Sequence, residues 1–255
     1  MSQKKAGRDP ARSLNLLWGS QTVPGRSGLT VKKIVATGME IAGAEGIEEL
    51  SMRKVADRIG VGTMSLYTYV PGKAELLDLM LDAAYEDLYD AAAISSILNN
   101  NWRQALHFIA KTNWDLFRKH PWILDLTGGR PVLGPHTTMK YDTELRALEG
   151  IGLTDIDMDA SLCLVLMHVE SCARLAVNIK DTQQKTGMDE NEWWLSHAPT
   201  LQRLIDPARF PVASRVGEAA GQAHLGAQNP DYAYMFGLER IMDGIGMLIE
   251  AGKAK

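Results

Sequence analysis

The side chains whose types and spacing could do chemistry crowd into one stretch, Ser51 to Lys73, SMRKVADRIGVGTMSLYTYVPGK. Thr63, Met64, Ser65, Tyr67 and Thr68 fall on or near the outer faces of a short helix whose Leu66 and Tyr69 lie three apart and turn inward. Hydroxyls and a phenol on an outer face recognise a surface by hydrogen bonding. Lys73 follows at the start of another helix, where backbone N–H groups add their own attraction for an anion. Catalytic patterns are missing from the sequence: there is no Gly-x-Ser-x-Gly elbow, phosphate loop, dinucleotide fingerprint or paired metal motif. A helical enzyme using a cavity elsewhere in the chain is the minor alternative. His168 and Cys172 stand four apart on one helical face, a spacing that metals use, but no third ligand completes a site. Neither a metal nor another cofactor is expected.

The elements that must position these residues are legible nearby. Ser51 caps a short helix with Met52, Val55, Ala56 and Ile59 at helical spacing. Gly60 ends it, since a glycine takes the left-handed conformation that a sharp turn needs, and Val61 returns to the core. Ala56 leaves room for two helices to cross closely. This is the pattern of a helix-turn-helix, which any helical hairpin with a glycine at its elbow shares. Upstream, Thr30 caps a helix to about Ala44, with Ile34, Gly38, Ile41 and Ala42 on one face; Gly46 stops it, and Ile47 and Leu50 anchor the link. Downstream, Pro71 bars a helical Val70 and so closes the second short helix, expected from Thr63 to Val70. Leu76, Leu77, Met80, Leu81, Ala84, Leu88 and Ala91 then predict one long helix from Ala74 to about Ala93.

Charge sharpens the division. The chain has 255 residues and a net charge of −4, which taken whole argues mildly against nucleic acid. Residues 1–73, however, carry eleven Lys/Arg against six Asp/Glu, and the remaining 182 carry 16 against 25. A basic head on an acidic body suits a protein that touches phosphate at one end only. No run approaches the ~20 apolar residues of a membrane span, and the N-terminus lacks the pattern of a signal peptide, so a cytoplasmic protein with no membrane partner is expected. Cys163 and Cys172, nine apart in one helix, stand about 13 Å apart and cannot bridge each other; both read as small core residues.

The run GIEELSMRKVADRIGV followed by SLYTYVPGKAELL, with its Leu-Tyr pair and Pro-x-Lys, resembles the DNA-binding domain of the tetracycline-repressor (TetR) family of bacterial regulators. The resemblance covers residues 29–81, about a fifth of the chain. It implies an all-α protein: a flexible basic N-terminal arm over residues 1–28, a three-helix DNA-binding domain over 29–73, and a helical ligand-binding and dimerisation domain over 74–255. It implies further a homodimer on a palindromic double-stranded operator, released by a small-molecule inducer; an activator of the same fold is the alternative. Position by position, Arg53 resembles the residue that reaches bases or phosphate from the start of the second helix. Thr63, Met64 and Ser65 match the positions that read bases, and Tyr67, Tyr69 and Lys73 match those that clamp phosphates. Met64 offers only apolar contact, suited to a thymine methyl, and Met52 stands where the family often has a hydroxyl.

The body reads as five or six helices from Asn101 onward. Helices are expected over 101–119, Pro121 to Leu126, Met139 to Leu148, from a Thr154/Asp157 cap to about Lys180, and Asp231 to Ala251, with a Gly- and Pro-rich loop TGGRPVLGP between the second and third. The two long helices are apolar on more than one face, as expected of a four-helix interface between two copies. Polar groups set into apolar stripes point to a ligand cavity: Asn113, Tyr141, Glu170, Ser171 and Arg174, with Trp114, Trp122 and Met167 as walls. Glu170 and Arg174 are also spaced to pair with each other. From Trp102 to Arg130-Pro131 the body resembles the tetracycline-repressor branch, yet the polar residues that would grip a magnesium–drug chelate are not evident, and tetracycline is not expected.

Overall fold

The computed structural model describes residues 10–19 and 28–253. Among them are twelve α-helices, two 3-10 turns and no strand, so the all-α expectation holds. Packing groups them into two compact units, Met1–Leu162 and Cys163–Lys255, and the division falls inside a continuous helix.

The head starts with α2, Val31–Glu45, whose Thr30 cap accepts from the Lys33 backbone N–H at 3.1 Å. In α3, Met52–Ile59, the Ser51 hydroxyl does the same for Lys54 at 3.2 Å. Gly60 sits at φ 84°, ψ 34°, and the N–H groups of Gly60 and Val61 both return to the Ala56 carbonyl, which turns the chain directly into α4, Thr63–Tyr67. Helix α4 is shorter than the expected span to Val70, because Tyr69 and Val70 close the turn on the Leu66 carbonyl ahead of Pro71. Leu29, Ile34, Ile41, Leu50, Val55, Ala56 and Leu66 are fully buried and hold these helices together. Gly38 of α2 lies against α5, Lys73–Ala83: a Cβ there would stand 2.8 Å from the Met80 sulfur. Helix α2 can approach α5 this closely only because position 38 lacks a side chain.

The long helix expected over 74–93 is two. Helix α5 stops at Ala83, and α6, Ala91–Asn99, begins behind Asp90, whose carboxylate accepts from the Ala93 backbone N–H at 2.8 Å. An apolar stripe cannot distinguish one helix from two in register, but an aspartate able to cap marks the break. Next come α7, Trp102–Lys119, capped by Asn101, and a 3-10 turn at Pro121–Ile123. Helix α8, Pro135–Leu145, starts four residues earlier than expected and runs into a second 3-10 turn. The N-terminal arm contains a helix, α1, Pro10–Trp18, which packs against α5, and the Trp18 indole N–H donates to the Leu133 carbonyl at 2.8 Å. The rest of the expected flexible arm, residues 1–9 and 20–27, lies outside the described residues.

The second unit is built on α9, Asp155–Thr186, and α12, Pro230–Lys253, both longer than expected. Between them in sequence lie α10, Glu190–Leu204, opened by a reciprocal Asp189/Glu192 capping box, and α11, Pro211–His224. Helices α9 and α12 meet where Gly237 faces His168: the His168 ring stands 3.0 Å from the Tyr234 carbonyl, and a Cβ at 237 would lie 2.3 Å from that ring. Cys172 is buried and Cys163 is exposed, so only one of the two expected core cysteines is a core residue. Burial pushes the Cys172 thiol up.

Candidate functional site

Helix α4 carries its polar row outward as the sequence predicts. Met64 is 79 % exposed, Ser65 and Tyr67 are exposed, Thr63 and Tyr69 are half-buried, and Leu66 alone of the helix is fully buried. Nothing among the described residues covers this large apolar side chain, which stands at the most open position of a five-residue helix. Arg53, in the first turn of α3, is also exposed and lies 3.7 Å from Asp57. Gly62, the residue before α4, leaves that helix without a side-chain cap, so its first backbone N–H groups are not engaged by a cap side chain. Lys73 occupies the first position of α5 and is half-buried; its ammonium donates to the Ile47 carbonyl at 3.4 Å. That tether holds the charge beside the head instead of letting it sweep through solvent.

The basic balance of the head is partly spent internally. Glu45 receives Lys54 at 2.6 Å and Arg58 at 2.9 Å, and Glu49 receives Lys54 at 3.2 Å. The Lys54 hydrogen bond holds the Glu45 carboxyl below its ordinary value, and Glu45 in turn raises the Lys54 ammonium. Lys33 is an exposed cation that the motif does not single out. It stands in the first turn of α2, which contains no acidic residue, beside Lys32, whose ammonium pairs with Glu86 at 3.4 Å.

The body candidates divide between the two units. Asn113 and Trp114 on α7 are buried, and the Asn113 amide donates to Glu144 at 2.7 Å and to the Ile109 carbonyl at 3.0 Å. Glu144 is the centre the sequence did not reveal. Fully buried on α8, it also accepts from the Tyr89 hydroxyl at 2.7 Å and pairs with Lys140 at 2.7 Å. Burial, then the Glu144 charge, pushes the Tyr89 phenol far up, so it stays a donor. Asn113 is thus a satisfied member of a buried network. Tyr141 is exposed and donates to Asp159 at 2.7 Å, which raises its phenol. Trp122 differs from these: its ring is buried, and its indole N–H has no hydrogen-bond partner among the described residues. In the second unit Glu170 and Arg174 hold each other at 2.8 Å, while Met167 and Ser171 are exposed on α9.

Two cavities lie apart from these eight residues. One, of about 320 Å³, is lined by Trp194, Leu201, Ile205 and Ala213 of the α10–α11 region. The other, of about 420 Å³, lies among Met39, Leu88, Thr112, Leu116 and His120. Among the described residues no group of three or more metal-ligating side chains gathers.

Comparison with known proteins covers both parts of the chain. The family described as bacterial regulatory proteins, tetR family, matches residues 34–80, and that described as tetracyclin repressor-like, C-terminal domain, matches residues 98–249. The HTH-type transcriptional repressor DrrR1 of Streptomyces coeruleorubidus is 36 % identical over 245 residues, covering 94 % of this chain and 87 % of that one. The HTH-type transcriptional repressor Rv1353c of Mycobacterium tuberculosis is 28 % identical over 240 residues, covering 90 % and 87 %. The crystal structure of apo ActR from Streptomyces coelicolor superposes with a TM-score of 0.70 at 24 % identity, over 91 % of this chain and 99 % of that one. ActR in complex with actinorhodin gives 0.68 at 23 %, over 89 % and 99 %.

Proposed function

This chain belongs to the TetR family of bacterial transcriptional regulators, and from that premise we propose that it is a repressor whose homodimer holds a palindromic operator until a small molecule releases it. The observation that carries the reading is the outward row of α4, where Thr63, Met64, Ser65 and Tyr67 project from a helix anchored by Leu66 alone. Thr63, Met64 and Ser65 read base edges, with Arg53 alongside them; Tyr67, Tyr69 and Lys73 fix the phosphates. A helix this short reads too few base pairs to be specific alone, so paired heads on a palindrome follow.

The dimer is supported by apolar side chains left open on the two long helices: Leu164 and Met167 on α9, and Met235, Phe236, Met247 and Leu248 on α12. Helix α9 is also the one described helix long and apolar enough to cross a membrane; burial of Val165, Val169 and Ala173 along one side suits a core helix whose other side meets a second copy. The regulator works without catalysis, metal or cofactor, in the cytoplasm where its operator lies.

The inducer enters the body, and among the eight candidates Trp122 has the best support. A buried indole N–H without an acceptor costs about 1–3 kcal/mol, which a ligand oxygen there would recover. Solution of ActR with actinorhodin and with (S)-DNPA supports small-molecule binding in this fold. A mobility-shift assay on DNA from around the gene for this protein tests the regulator; absence of a retarded band at low salt sinks it. A thermal-shift screen finds effectors, and a hit that stabilises Trp122→Phe as well as wild type removes Trp122 from the site.

A further inference from the structure

Helix α8 begins without a cap of its own. Gly134 occupies the capping position, offers no side chain, and leaves the first N–H groups of the helix unsatisfied from within. The missing acceptor comes from 55 residues away. Asp82, in the last turn of α5, is 4 % exposed, and its Oδ1 accepts from the Thr137 backbone N–H at 2.8 Å and the Thr137 hydroxyl at 2.9 Å. The fit excludes any side chain at 134, where a Cβ would stand 2.1 Å from the same oxygen. The negative carboxylate also sits where the dipole of α8 is positive.

Helix α5 is therefore one rod with a task at each end. Lys73, its first residue, belongs to the DNA-binding head; Asp82, one residue from its other end, completes α8. Eleven residues of helix span about 16 Å and do not bend without a kink-forming residue, which KAELLDLMLDA lacks. A second tie reinforces the first: Tyr89, just past α5, donates to Glu144 on the last turn of α8.

We infer that Asp82 is the positioning residue that couples the body to the head: α8 takes its cap from the far end of α5, so a displacement of either helix against the other breaks the hydrogen bonds at the N-terminus of α8. This rests on the regulator reading above and adds to it one contact, Asp82 on Thr137, through which α8 and α5 act on each other.

The test moves the cap instead of deleting it. Asp82→Ala removes the shared carboxylate, and Gly134→Asp in the same chain gives α8 a local cap in the space vacated; Gly134 is extended, at φ −92° and ψ 170°, as a capping residue should be. Hydrogen exchange of the α8 amides is measured in the full-length dimer, free and bound to the upstream DNA fragment. In wild type, DNA binding should slow exchange at Thr137 and Thr138 at least ~3-fold, because a fixed α5 fixes the cap. Asp82→Ala alone should melt at lower temperature and exchange faster in both states. The double variant should regain its melting temperature and bind DNA within ~3-fold of wild type, while its α8 amides no longer respond to DNA. A merely structural Asp82 would restore the response together with the stability, and that outcome overturns the inference, as does an α8 in wild type that ignores DNA. Failure of wild type to bind the fragment is seen before any exchange is measured and overturns the regulator reading itself. Should Asp82→Ala not fold, the double variant carries the comparison with wild type.

Discussion

Glu144 shows how much one buried charge demands of its surroundings. Three donors, Tyr89, Asn113 and Lys140, converge on it, and the Lys140 side chain is itself only 11 % exposed. Removing the cation alone leaves a carboxylate in an apolar interior, so Lys140→Met should cost about 3–5 kcal/mol in denaturant unfolding. Lys140→Met combined with Glu144→Leu should cost much less, because no orphaned charge remains; equal losses in the two would contradict this account. His120 gives a pH dependence. Burial, then Lys119, holds its imidazole below the ordinary 6.5. The unfolded chain therefore takes the proton first: the stability linked to this residue is complete above pH 6.5 and falls as pH drops through the folded value. Melting temperature should decline from pH 7 to pH 5, less steeply in His120→Gln. At the DNA face, Lys73→Ala should weaken binding to all sequences and reduce the salt slope by about one unit, while changes at Thr63 or Ser65 shift operator preference. Uniform loss in both sets would remove the division into readers and clamps. Asn113 was visible in the sequence as a polar residue in an apolar stripe; Glu144 and Tyr89 were not, since only folding brings residues 31 and 24 positions away against it.

Among the elements, those whose ends are written in local chemistry were legible. Thr30 and Ser51 start helices and Gly60 ends one, each through hydrogen bonds to residues three or four positions away. Where an end depends on distant chain, the sequence misleads: α8 starts at Pro135 with a cap borrowed from Asp82, and the apolar stripe of 74–93 runs unbroken across the gap before Asp90. The arm helix α1 was missed because nothing near it announces Leu133, the acceptor of its Trp18. The α10–α11 region went unplaced because Pro199 stands inside α10, where a sequence reading ends a helix, and the region contributes little to the core: α10 has no buried residue and α11 has Gly221 alone. Gly60 tests the turn on which the DNA-binding face depends. At φ 84° a side chain pays the left-handed penalty, so Gly60→Ala should lose about 1–2 kcal/mol and weaken operator binding in step. Operator affinity unchanged despite that loss would mean that the angle between α3 and α4 does not govern recognition.

For the whole molecule, the question is what covers the open sides of α9 and α12. Met167 is 64 % exposed and Met247 is 73 % exposed, while Val165 and Met242 on the same helices are fully buried. A helix committed to one face would turn charge outward, yet the stretch of α9 from Ser161 to Val169 contains no acidic or basic residue apart from His168. Solvent is a poor partner for such a stripe, and a second copy of the same stripe is a good one, because two-fold symmetry makes an apolar patch complementary to itself. Met167→Glu with Met247→Glu should place like charges across that axis in both copies and leave each folded chain alone. Light scattering should then report a mass near 28 kDa, and far-ultraviolet circular dichroism should keep its helical signal. Operator binding should fall at least ~10-fold, since a single head gives up the second half-site and with it the gain in effective concentration that linkage supplies. A dimer that survives both glutamates locates the two-fold contact elsewhere on the chain. A monomer that still shifts the palindrome with full affinity removes the need for paired heads.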